Sequence, residues 1–136
     1  MGLKERRAIT NFEETIYPKL VDGLKAAAGF ELEVEVDWTS IAEEGMDHLY
    51  DDAIPMIFFA PIEAAIKGIC IDDMGREALQ ESLKKIVLRN VDGNFSPQSC
   101  FNFEGGVLTM DHKTTSNIED VDKRSAYLQE MLENNI

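Results

Sequence analysis

Phe30-Glu31-Leu32-Glu33-Val34-Glu35-Val36-Asp37-Trp38 alternates without a break, with an apolar residue at every even position and a carboxylate at every odd one. Successive side chains of a strand point to opposite faces, so a period of two over this length predicts a half-buried β-strand across 30–38. One face has to meet a core and the other water. The segments on either side must therefore supply partner strands and helices that cover the apolar face.

Upstream, Ile9, Phe12, Ile16, Leu20, Leu24 and Ala27 recur at three- and four-residue steps, which predicts a helix over 3–28. Pro18 lies inside it. Proline lacks the backbone donor and clashes with the preceding turn, so a kink or break is expected near Tyr17. Gly29 suits a left-handed C-terminal position, after which the strand begins at once.

Downstream, Ser40 and Glu43 have the spacing of a capping box, and the apolar periodicity predicts a helix over 41–54, with Gly45 a candidate stop. Pro55 interrupts the run, and residues 54–60 read equally as helix or as a buried strand. Pro61 fits the first turn of a helix over 61–70, in which Glu63 and Lys67 form an i,i+4 pair. Asp72 or Asp73 caps a helix over 73–85. Residues 86–91 are rich in β-branched residues and precede Asp92-Gly93-Asn94, which favours a strand and a turn.

The next two segments, 99–104 and 107–113, flank Gly105-Gly106, a two-residue hairpin signal. With the glycines as the loop, Glu104 faces Val107, Phe103 faces Leu108, Asn102 faces Thr109 and Phe101 faces Met110. This puts both apolar pairs on one face, an agreement that a one-residue slip would destroy. Ser116 and Glu119 repeat the capping-box spacing before a helix over 117–133, with Ile118, Val121, Ser125, Leu128 and Leu132 inward. The expected fold is α+β: a single domain, 1–136, with a mainly antiparallel sheet of about four strands covered by helices.

Composition narrows the function classes. Lys and Arg number 13 against 26 Asp and Glu, a net charge of −13. Direct nucleic-acid binding needs clustered cations, and an anionic membrane repels such a chain. The most apolar run, 54–71, holds Pro55, Pro61, Glu63 and Lys67, and the start of the chain is charged, so a cytoplasmic protein is expected. The expected partner is basic, and a homodimer is compatible with the sequence. No cofactor motif is present.

Three groups of residues could carry function. Glu31, Glu33, Glu35 and Asp37, with Trp38 at the strand end, form an acidic row spaced by about 6.6 Å, close to the phosphate spacing of a nucleic-acid strand. Such a row could dock a basic protein, and it is also how the solvated face of a sheet looks. Glu44, His48 and Asp52 would lie four apart on one helix face, a donor set for a divalent transition metal if another element added a ligand. Phe58, Phe59, Phe101, Phe103 and Met110 could line a small-ligand pocket or fill the core. Cys100 and His112 should diverge, because the hairpin register puts Cys100 opposite Asp111, and Cys70 reads as core. The leading expectation is a non-enzymatic protein-binding module of inhibitor, immunity or accessory-subunit type. The alternatives are a small metal-dependent enzyme and a small-ligand binder.

Overall fold

The alternating stretch forms strand β1, but only Glu33–Val36 joins a ladder. A computed structural model describes residues 1–136. Asp37 leaves the ladder to cap the helical turn α3 (Trp38–Ile41), its carboxylate accepting from the Ser40 amide at 3.2 Å. The alternation of burial runs further than the ladder. Leu32 is buried, Phe30, Val34, Val36 and Trp38 are half-buried, and every odd position from Glu31 to Asp37 is exposed.

Three more strands complete one sheet: β2 (Lys85–Arg89), β3 (Phe101–Glu104) and β4 (Val107–Asp111), in the order β1-β2-β4-β3. The β3–β4 hairpin has the register expected from sequence, with Phe101 opposite Met110 and Phe103 opposite Leu108. Gly105 and Gly106 both have positive φ, +60° and +80°, as a type I′ turn requires. The sheet is nevertheless mixed rather than mainly antiparallel. β1 runs parallel to β2 and β2 parallel to β4. A long helical excursion separates β1 from β2 and returns the chain in the same direction, as a parallel pair demands.

The first expected helix is two, α1 (Leu3–Thr15) and α2 (Tyr17–Ala28), broken at Ile16 with Pro18 in the first turn of α2. Gly29 closes α2 at φ +79°. The expected helix over 41–54 is absent as a unit. After α3 the chain turns through Gly45 at φ +78°, makes a 3₁₀ turn at Asp47–Leu49, and only then forms α4 (Tyr50–Ile54). Residues 55–59 are neither α-helix nor strand but a π-helical turn, closed by the Ala60 amide on the Pro55 carbonyl. Proline cannot donate to the α ladder, and the wider turn carries Ile57, Phe58 and Phe59 into the core. The helix α5 (Ala60–Ile69) follows, then α6 (Asp73–Ser82), capped by Asp72 on the Gly75 amide at 2.8 Å. A short helix, α7 (Pro97–Cys100), occupies the expected start of β3, and the last helix, α8, spans Val121–Glu133 rather than starting at 117.

The core lies under one face of the sheet. Ile86 and Leu88 of β2 and Leu108 and Met110 of β4 are fully buried in one cluster with Ile62 and Ile66 of α5 and with Leu128 and Leu132 of α8. α5 packs against α2 and α8. The other face keeps Glu33, Glu35, Asn102 and Glu104 exposed and Lys85, Val87 and Thr109 half-exposed. No helix is long and apolar enough to cross a membrane.

Candidate functional site: an acidic sheet edge

β1 is an edge strand, and its odd side chains stand on the open face of the sheet. Two of the four carboxylates meet cations: Glu31 pairs with Lys25 at 3.0 Å and Glu35 with Lys85 at 3.3 Å. Glu33 sits between them with no ion pair, and Asp37 is held by its capping bond. Trp38 is turned the other way. Its ring packs edge-on against Tyr17, with centroids 4.9 Å apart, and against Phe12 at 5.9 Å. It is thus part of the inner aromatic cluster and supports the acidic strand from behind.

The structure does not gather the other expected site residues. Glu44 lies in the turn, His48 in the 3₁₀ segment and Asp52 in α4, so the single helix face that would have stacked them is missing. No group of three or more His, Cys, Asp or Glu side chains is arranged to hold a metal ion. Asp47 of this segment pairs with Lys4 at 3.5 Å. Phe58, Phe59, Phe101 and Met110 are buried and Phe103 is half-buried in the core. Of the five, only Phe59 borders an open cavity, a groove of about 170 Å³ between α2 and the π turn.

Sequence reasoning missed an interior polar network. Glu43, read as a capping residue, reaches across the chain instead. Its carboxylate accepts from Asn90 Nδ2 at 3.1 Å, the Thr114 amide at 3.2 Å and Thr115 Oγ1 at 2.7 Å. Asp111 fixes the turn after β2, accepting from the Val91 and Asp92 amides and from Arg89 Nε at 2.8 Å. Burial alone would raise the Asp111 carboxyl, but the two amides and Arg89 together hold it below the usual carboxylate range.

Behind these carboxylates lie two buried bases. Arg124, rather than Ser125, is the fully buried residue at its level of α8, and its guanidinium donates to the carbonyls of Asn117 at 2.7 Å, Ile118 at 3.0 Å and Met56 at 3.4 Å. Asn117 itself lies in the left-handed region at φ +55°, and Arg124 Nε is without a partner. His112 Nδ1 lies 2.6 Å from the Lys113 carbonyl, which fixes the proton on Nδ1 and leaves Nε2 as a buried acceptor with nothing to accept. Burial lowers the His112 pKa. The Lys113 carbonyl opposes that shift, Arg124 adds to it, and Asp111 and Glu43 oppose it more weakly.

Cys100 is buried near the same groups, and no hydrogen bond joins it to His112. Its Sγ meets only the Pro97 carbonyl, at 3.8 Å. Burial pushes its thiol up to about 12 despite the Arg124 charge, so the reactive thiolate is suppressed. Arg124 carried a faint signal in sequence, lying four residues before Leu128 on the stripe of α8. His112 carried one as well, two positions beyond Met110 on the apolar face of the expected strand over 107–113.

Comparison with protein-family models, with curated proteins and with solved structures finds no match to this chain.

Proposed function

We propose that this protein is a non-enzymatic binding module, of inhibitor, immunity or accessory-subunit type, which presents the acidic edge of its sheet to a basic protein. One observation carries the reading: Glu33 and Glu35 stand exposed on the open face of an edge strand whose opposite face is packed against the core. Carboxylates in that setting raise the local negative potential. They act mainly on the rate at which a basic partner arrives and on the choice among partners. The overall charge of −13 reinforces the same field.

The test is affinity capture from source-cell lysate at low and moderate salt, with the wild type and with Glu33→Lys, Glu35→Lys. The double change moves the net charge from −13 to −9, since each substitution adds two units. The exposed Glu35–Lys85 pair is lost and two lysines are set beside Lys85, the register partner of position 33, which together cost about 1–2 kcal/mol at exposed positions, so the fold is retained. The variant should capture less of the partner and show a flatter salt dependence. Identical partners with identical salt dependence would reduce the acidic row to solvation.

A further inference from the structure

The two most exposed large apolar side chains of the protein lie far from the acidic strand in sequence and close to each other. Ile71 is 83% exposed and Met74 81% exposed. Together with Ile69 and Ala78 they border a groove of about 360 Å³ between the α5–α6 turn and the end of α8. The turn that presents them is braced. Asp72 accepts from the Gly75 amide at 2.8 Å, and the Arg76 amide returns to the Asp72 carbonyl at 3.1 Å. The Arg76 side chain donates to the Cys70 carbonyl at 3.5 Å. Gly75 lets the first turn of α6 lie on the end of α5, because a Cβ there would stand 1.8 Å from the Ile69 carbonyl oxygen. Apolar side chains held out by a rigid turn are preorganised for contact, and adjacent exposed ones mark interaction surfaces.

The rim supplies the second half of the reading. Asp72 and Glu133 line the groove, Asp73 and Glu77 stand exposed on α6, and Arg76, the cation of that helix, is tied to Asp73 at 3.2 Å. Two carboxylates therefore line the apolar floor and two more stand exposed on the helix beside it, the one cation of that helix being paired with Asp73. We infer that this groove docks an amphipathic, basic helix of a partner protein. Its aliphatic side chains would seat over Ile71 and Met74, and its Lys or Arg side chains would face Asp72, Asp73, Glu77 and Glu133. A second copy of this chain is disfavoured as the occupant, because it would bring an equal rim and a further −13 of charge. The groove shares no lining residue with the acidic strand and supplies the apolar anchor that a purely charged face lacks.

The probe is a synthetic helical peptide of leucine and lysine, with leucines at i, i+3, i+4 and i+7, titrated against the full chain by fluorescence anisotropy. A peptide with glutamate for lysine is the control. The wild type should bind the lysine peptide and not the glutamate peptide. Ile71→Ser, Met74→Ser should weaken binding by about tenfold or more, a loss of one to two anchors' worth of contact. Both side chains are exposed, so the urea midpoint should not move. Glu33→Lys, Glu35→Lys should bind within about threefold of the wild type, because only the long-range field changes. The inference is overturned if Ile71→Ser, Met74→Ser binds as the wild type does, or if the glutamate peptide binds equally well. It is overturned too if sedimentation shows a self-association that Ile71→Ser, Met74→Ser abolishes, since the groove would then belong to a second copy. Loss of peptide binding in the Glu33, Glu35 variant alone would place the peptide on the sheet edge. That outcome overturns the groove and leaves the proposed function standing.

Discussion

Acidification should destabilise this protein through a single buried histidine. His112 is fully buried, its Nδ1 proton is held by the Lys113 carbonyl, and its Nε2 would have to take up a proton with no acceptor to receive it. The groups that act on it are Arg124 from α8, which disfavours the second charge, and Asp111 and Glu43, whose carboxylates are already engaged by other donors. The folded pKa is lowered from the ordinary 6.5, chiefly by burial. The unfolded chain therefore binds the proton more readily than the folded one, and stability rises with pH. The contribution is fully present above about pH 6.5 and is lost as the pH falls through the window below it. If the folded protein stays unprotonated down to pH 5, the loss between pH 8 and pH 5 is at most about 1.36 × 1.5, or about 2 kcal/mol.

The assay is equilibrium urea unfolding at pH 8, 7, 6 and 5 in a His48→Ala background, which leaves His112 as the only histidine of the chain. Against it stands His112→Asn, whose amide can still donate to the Lys113 carbonyl. The variant should start lower at pH 8, because it leaves a small cavity. It should lose less stability on acidification, by up to about 2 kcal/mol across the range. Parallel pH profiles for the two proteins would refute the reasoning, since any change in the overall charge of the chain acts on both alike.

Three further outcomes follow from the same contacts. Val34→Asp should cost about 2–4 kcal/mol by turning a carboxylate toward the core, whereas Glu33→Gln on the opposite face should stay within about 0.5 kcal/mol; equal urea midpoints would contradict the alternation of β1. Arg124→Ala should cost about 3–5 kcal/mol because three carbonyls lose their donor and a cavity opens, and Arg124→Met should cost less because it fills the space without burying a charge; a denaturation series ranking Met below Ala would reject this account. In the folded protein at pH 8 a thiol reagent should label Cys100 far more slowly than in urea, since burial pushes its thiol up to about 12; burst labelling of the native state would mean that the α7 region opens readily.

Much of the local structure could be read from residues only a few positions apart. The hairpin register was legible because two independent constraints agreed, a glycine pair that sets the turn and a period of two that sets the faces. The break at Ile16, the left-handed Gly29 and the Asp72 cap were legible for the same reason, each being a matter of neighbouring backbone geometry. The acidic face of β1 was legible because side-chain alternation survives whatever the strand pairs with. Where sequence reasoning failed, a distant contact had overridden a local pattern. Ser40 and Glu43 had the spacing of a capping box, yet Ser40 Oγ accepts from the Asn90 amide and Glu43 binds the Thr114 amide, 71 positions away.

By itself, then, the sequence determined which side chains of β1 and of the β3–β4 hairpin face the core, the break between α1 and α2, the stops and caps at Gly29 and Asp72, and that β1 carries an acidic face. Those properties follow from steric and hydrogen-bonding rules that act within a turn or two of chain. Only the tertiary structure decided that β1 lies at the sheet edge and runs parallel to β2, that residues 55–59 widen into a π turn, and that Arg124 lies in the interior. Strand order and the burial of a charged side chain depend on the summed packing of the whole domain. A guanidinium enters the core only when folding brings the carbonyls of Met56, Asn117 and Ile118 around it.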